Sequence, residues 1–227
     1  MEAMHSEKTG LSRHSDSPAE DSFQQLLLRL SSAAAAGCDS HALIRLFCQA
    51  TREFFRVSGS YYWELLSADE MVGREASGFL EDRFPGTRVK LSAAHSAVAV
   101  DSIISRRTLY LNRLDVSKYP LAAQYNSKSI MAAPLVVGGE VIGTAAFIHD
   151  SDPDFFNDDL AAKATILAGQ LGSLLETMRL SNVSREEQRR AEILAEAAKA
   201  LHAVPGASAV IAALADRVRG LLQNSLV

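Results

Sequence analysis

The sequence predicts an α+β domain, an antiparallel sheet with its helices segregated onto the faces. Three observations carry that expectation. Two amphipathic helical stretches come before any strand. A pair of apolar runs, "APLVVGGEVIGTAAFIH" at 133–149, flanks the turn dipeptide Gly138-Gly139. A long helical stretch with an apolar stripe then closes the region.

Residues 1–18 are polar, rich in Ser, His and charge, and lack periodicity; they predict a disordered tail. Asp21 or Ser22 can cap a first helix, in which Phe23, Leu26, Leu27, Leu30, Ala33 and Ala34 recur at three- and four-residue steps until Gly37. Asp39 or Ser40 caps a second, with Leu43, Leu46, Phe47, Ala50, Phe54 and Phe55 on one stripe. "VSGSYYWELL", 57–66, is aromatic-rich and reads as a strand, and "EMVGREASGFL" as a weaker one. "EDRFPGTRVKLS", 81–92, is a loop entering a short strand. Helical spacing returns at 95–107, followed by the strand "TLYLNRL" and the long polar and aromatic connection "DVSKYPLAAQYNSKS".

The 133–149 hairpin follows. Asn157 can cap the closing helix, with Asp158 and Asp159 in its first turn and Leu160, Ala164, Leu167, Ala168, Leu171, Leu174, Leu175 and Met178 on its apolar face. Ser184 and Glu187 have the spacing of a capping box and predict the start of a further helix, which Pro205-Gly206 breaks. A last amphipathic helix spans 208–222.

The hairpin barely alternates apolar with polar residues, so both its faces must be covered. Three apolar helix stripes suit one face. The 95–107 helix and the connection through 128 must roof the other. A sheet face roofed by loops is a common place for a small-molecule pocket.

Composition narrows the function. The chain has 227 residues, 48% of them hydrophobic, enough for one core domain plus a helical extension. Its 23 basic and 27 acidic residues leave a net charge of −4, with no basic excess to favour nucleic acid or an anionic membrane. No apolar run approaches the roughly 20 residues that span a bilayer. The N-terminus has no apolar signal region, and Cys38 and Cys48 make no disulfide framework, so a cytoplasmic location is expected.

With these elements in order, the chain resembles a GAF domain over roughly residues 21–180. The hairpin resembles the family's "PL…G…IG…L" pattern at Pro134, Leu135, Gly139, Ile142 and Gly143. The closing helix resembles the family's "F…D…L…A.Q" pattern at Phe156, Asp159, Leu160, Leu167, Ala168 and Gln170. "RRTLYLNRL" resembles a strand that often reads "G.P..I.D" in the family. The resemblance implies a sensory module that binds a small ligand in the roofed pocket and relays its occupancy through terminal helices. It implies homodimerisation through those helices and an output domain elsewhere, such as a histidine kinase, phosphatase, cyclase or transcription activator of a two-component or related system.

The specialised branches of the family are matched poorly. The cyclic-nucleotide pattern Asn-Lys…Phe-x3-Asp-Glu is split here at Asn126-Ser127-Lys128, and Leu160 stands where Glu belongs. Both cysteines lie in the leading helices, away from where a bilin-binding or free methionine-sulfoxide reductase relative needs them. Ser127-Lys128-Ser129 occupies the place of a haem-binding loop histidine.

The candidate ligand-binding residues are Trp63, His95, Lys118, Tyr119, Tyr125, Asn126 and Lys128. His95 opens the roofing helix, where it either meets a ligand or caps the helix. Lys118, Tyr119, Tyr125, Asn126 and Lys128 sit in the connection, whose composition suits either a ligand or a packed lid. Trp63 reads as core or as pocket wall. His149 reads as a turn residue. No nucleophile–base pair, metal-ligand spacing or phosphate-cradling glycine loop is visible, so no enzyme activity, metal or cofactor is expected beyond an unidentified small-molecule ligand. The alternative is a ligand-free dimerisation scaffold, its pocket filled by side chains such as Trp63 or Tyr125. A pocket too small for a ligand would favour that alternative.

Residues 208–222 align without gaps on 41–55, sharing Ala42/Ala209, Ile44/Ile211 and Arg52/Arg219. This predicts a helical linker over 181–227 with the beginning of a second, truncated GAF domain, as in the N-terminal part of a tandem protein. The stripes of the 157–180 and 184–203 helices are the expected dimer seam.

Overall fold

The computed structural model describes residues 18–91 and 97–202. His95, the tail 1–17, the Pro205-Gly206 break and the 208–222 segment with its proposed second domain lie outside the described residues. The chain divides into two compact units, Met1–Glu176 and Thr177–Val227.

The first unit begins with α1 (Pro18–Ala35) and α2 (Ser40–Phe55). Helix α1 starts at Pro18, three residues before the expected cap; the fixed φ of proline suits a first helical position, where its missing N–H costs nothing. Asp39 caps α2 as expected, its carboxylate accepting from the Ala42 amide at 2.7 Å. Strands β1 (Gly59–Ser67) and β2 (Glu70–Gly78) form a hairpin, and β3 (Arg88–Lys90) pairs with β2. Next come α3 (Val98–Ser105), β4 (Leu109–Leu111), α4 (Pro120–Gln124), β5 (Ser129–Val137) and β6 (Glu140–His149). Helix α4 lies in the stretch expected to be an irregular connection; Pro120 is at its start.

The six strands form one antiparallel sheet in the order β3-β2-β1-β6-β5-β4. The first and last hairpins therefore meet at its centre, where Tyr61 pairs with Ala146 and Trp63 with Thr144. Gly138 and Gly139 make the two-residue turn of β5–β6, with φ of 58° and 87°. Strand β4 pairs only with Ile130–Ala132 of β5, so Ala133–Val137 has no strand partner on that side; of these only Val136 is exposed.

Helices α1, α2 and the start of α5 (Asp158–His202) cover one face. Leu26, Leu30, Leu43, Phe47 and Phe55 are buried there, with Ala164, Leu167, Ala168 and Leu171 from α5. Phe55 meets Phe147 of β6 edge-on at 4.9 Å. Two polar pairs set the fit: Thr51 and Ser60 join hydroxyls at 2.9 Å, and the Gln170 amide donates to Ser31 at 2.9 Å. Gly172 lets α5 approach β5, since a Cβ there would stand 3.0 Å from Val137.

Asn157 caps α5 as expected, its side chain accepting from the Leu160 amide at 3.0 Å. The helix then runs unbroken past Ser184, so the expected new start there is corrected. Residues 185–190 are strong helix formers, joined by Glu186–Arg190 at 3.1 Å and Gln188–Glu192 at 2.9 Å. A capping-box spacing has no end to cap when the backbone before it is already helical.

Candidate functional site

The second sheet face carries Tyr61 and Trp63 of β1, Met71 of β2, Ile130 and Ala132 of β5, and Ala146 and Ile148 of β6. Period-two alternation sends these side chains to one side. Helix α3 lays Val98, Ala99, Val100 and Ile103 over them, and α4 adds Leu121 and Ala122. Ser102 fixes α3 to the sheet through the Thr144 hydroxyl at 2.9 Å, and Thr144 donates on to the Ala133 carbonyl at 3.1 Å.

An aromatic box closes the space beneath this roof. Trp63 meets Phe84 edge-on at 4.7 Å, and Tyr61 meets Phe84 and Tyr125, each at 5.1 Å. The cavity left between sheet and roof is about 30 Å³ and almost wholly apolar. That is room for a water or two but not for an organic molecule. Tyr61 spends its hydroxyl on the Phe79 carbonyl at 2.6 Å, and burial pushes its phenol well above the ordinary range. Burial raises Tyr125 as well.

Among the sequence-predicted residues, Trp63 and Tyr125 line the cavity. Tyr119 is half-buried at the head of α4; its hydroxyl donates to Asp101 of α3 at 3.1 Å, so it ties the two roof helices together. Lys118, Asn126 and Lys128 are exposed and stand outside the cavity wall. His149 is the turn residue expected: its Nδ1 accepts from the Asp152 amide at 3.0 Å, and its ring stacks on Phe155.

Of the aromatic wall residues, sequence reasoning missed Tyr61 and, less foreseeably, Phe84. Phe84 enters from the β2–β3 loop, and Gly73 makes room for it. A Cβ at Gly73 would stand 2.9 Å from the Phe84 ring and 2.6 Å from its carbonyl oxygen. A glycine inside a strand, with Phe-Pro-Gly eleven residues later, was the available signal.

The junction from α4 to β5 closes in a Schellman turn, the Asn126 amide donating to the Ala123 carbonyl and the Ser127 amide to the Ala122 carbonyl, each at 3.2 Å. Asn126 holds φ at 50°. Ser127 is buried, and its hydroxyl has no hydrogen-bond partner among the described residues. The flanking chain is firmly tied: Leu114 donates to the Lys128 carbonyl at 2.9 Å, and the Arg113 guanidinium forks onto Asp154 at 2.8–3.0 Å.

Neither cysteine reaches the cavity. Cys38 lies between α1 and α2, and Cys48 is buried in α2, its thiol pushed far up by burial. Among the described residues no group of three or more His, Cys, Asp or Glu side chains is placed to hold a metal, and no helix is long and apolar enough to cross a membrane.

The fold recurs in solved proteins. The GAF domain of a phosphoenolpyruvate-protein phosphotransferase from Coxiella burnetii is similar at a TM-score of 0.61 and 14% identity, over 74% of this chain and 99% of that one. A free methionine-R-sulfoxide reductase from Neisseria meningitidis, solved with its substrate, is similar at 0.59 and 20%, over 80% and 99%. A putative GAF sensor protein from Burkholderia vietnamiensis is similar at 0.58 and 18%, over 71% and 98%. No curated protein sequence matches the chain. The sequence pattern of the GAF domain family matches residues 39–176, which is α2 through the first part of α5 and more than half of the chain. This protein belongs to the GAF domain family.

Proposed function

We propose that the chain is a sensory module of a signalling protein, with the aromatic box as its ligand site and the α3–α4 roof as its moving part. The observation that carries this reading is the α4–β5 junction. In the closed roof the Ser127 hydroxyl is buried with no partner among the described residues, at a cost of about 1–3 kcal/mol. That cost disfavours the closed form and leaves a second arrangement within reach. A small, mostly apolar molecule that swings Tyr125 and α4 outward matches the lining, and Lys118, Asn126 and Lys128 then stand at the mouth to meet any polar group on it. His95 belongs to the same proposed site.

Occupancy would pass along α5 to an output domain, such as a histidine kinase, phosphatase, cyclase or transcription activator. Leu28 of α1 and Leu180, Val183, Ile193 and Leu194 of α5 are exposed and suit a homodimer through the terminal helices. The site works by binding rather than by catalysis: the free methionine-R-sulfoxide reductase shares the fold, but neither cysteine here lines the cavity. A cytoplasmic location fits this role.

A second reading is favoured by one specific observation. A cavity of about 30 Å³ filled by Trp63, Phe84, Tyr61 and Tyr125 suits a ligand-free dimerisation scaffold. Native mass spectrometry of the purified protein separates the two. The sensor reading expects a dimer carrying a co-purified small molecule; a ligand-free dimer from every growth condition overturns it and leaves the scaffold.

A further inference from the structure

A second cleft, separate from the aromatic box, opens beside the free edge of β5, between the end of α3 and the first turns of α5. It holds about 450 Å³, well above the closed box and within the size range of small-molecule sites. Its wall is chemically mixed. Arg106 and Arg107, the threonine pair Thr108 and Thr165, and Pro134 and Val136 of β5 all line it.

The two guanidinium groups differ. Arg106 is engaged: it donates to the Gly139 carbonyl at 2.8 Å, with Glu140 4.0 Å away. Arg107 is exposed, and its side chain has no hydrogen-bond or ion-pair partner among the described residues. Among the described residues no carboxylate lines the cleft. The threonine pair has a defined polarity too. Thr165 donates to the Ala161 carbonyl at 2.8 Å, so Thr108 donates to Thr165 at 2.6 Å and keeps its own lone pairs for a donor. The rest of the wall is apolar, from Pro134, Val136 and the small residues of α5.

We infer that this cleft binds an organic anion, with a carboxylate or phosphate head on Arg107 and a compact apolar body against Pro134 and Val136. The planar guanidinium fork matches either head group. A hydroxyl or amide N–H on the body would satisfy Thr108. Such a ligand touches the end of the roofing helix and the start of α5 at once, so it can bias the roof from outside the aromatic box.

Titration of the full chain with 4-phenylbutyrate, phenyl phosphate and the neutral 4-phenylbutyramide, followed by amide chemical shifts, tests this. At least one anion should bind, shifting residues 106–108 and 161–169, with the amide at least tenfold weaker. The better of the two anions identifies the head group. Arg107→Ala should weaken the bound anion about tenfold while leaving the melting temperature unchanged. Shifts centred on Trp63 and Tyr125, equal binding of the neutral amide, wild-type affinity in Arg107→Ala, or no binding by any of the three overturns the assignment.

Discussion

Gly73 and Phe84 form a lock: the strand backbone at Gly73 lies so close to Phe84 that no side chain fits between them. The Gly73 amide donates to Thr87 and its carbonyl accepts from Gly86, each at 2.8 Å, so the loop carrying Phe84 is stitched to the same strand. Gly73→Ala should therefore lose about 1–3 kcal/mol, the usual cost of overpacking. Urea unfolding reads the loss. Because Phe84 abuts the only tryptophan, the near-ultraviolet dichroism of Trp63 should change as well. A variant as stable as the wild type would show that Phe84 is not held by this contact.

Tyr125 is the roof's share of the aromatic box. Tyr125→Ala removes its edge contact with Tyr61 and leaves a void that the short α4 can only partly close. The expected cost is about 3–5 kcal/mol, as for other buried aromatics cut to alanine. Indole should raise the melting temperature of this variant by more than that of the wild type, because an apolar void accepts an apolar guest. Equal shifts would mean that Tyr125 does not close the box.

Acid should loosen the β6–α5 connection first. Asp150 is held below its ordinary value chiefly by the Ser58 hydroxyl, which donates to it at 2.6 Å. Asp154 is held low chiefly by the Arg113 fork, and Asp115 by the hydroxyl and amide of Ser117. A carboxyl whose pKa is lower in the folded chain stabilises the fold above its unfolded value, near 3.8. That stability disappears as pH falls through the folded value. Asp150→Ala should thus lower the melting temperature at pH 6, and the gap from wild type should narrow toward pH 3. A gap independent of pH would assign the loss to packing. The exposed Arg113–Asp154 pair should contribute less than Ser58–Asp150.

Local chemistry made much of this fold legible. Gly138-Gly139 announced its hairpin, and Asp39 and Asn157 announced their helix starts, because a turn or a cap is specified by neighbours in sequence. The α+β order and the two-sided cover of β5–β6 followed from apolar pattern alone. Phe84 escaped because its place depends on a glycine in another strand, which sequence proximity does not encode. Lys118, Asn126 and Lys128 could not be sorted from Tyr125 for a related reason. In a connection without periodicity, nothing in the sequence says which side chains turn inward, and a five-residue helix with two alanines leaves little signal. Ser184 misled because a capping box is a local pattern, whereas the unbroken run of helix formers around it is a longer one.

The open stretch of β5 beyond β4 bears on how this chain behaves when crowded. A bare strand edge invites a second molecule to extend the sheet, and repetition of that step builds fibrils. Here the unpaired run, Ala133–Val137, includes Pro134, which has no N–H to offer an incoming strand, and a bulge between Leu135 and Val136 bends the ladder. Arg106 and Arg107 add like charge beside it. Pro134 is itself buried, so a β-former in its place would return an N–H donor to this edge and also disturb the packing around it, and self-association should rise.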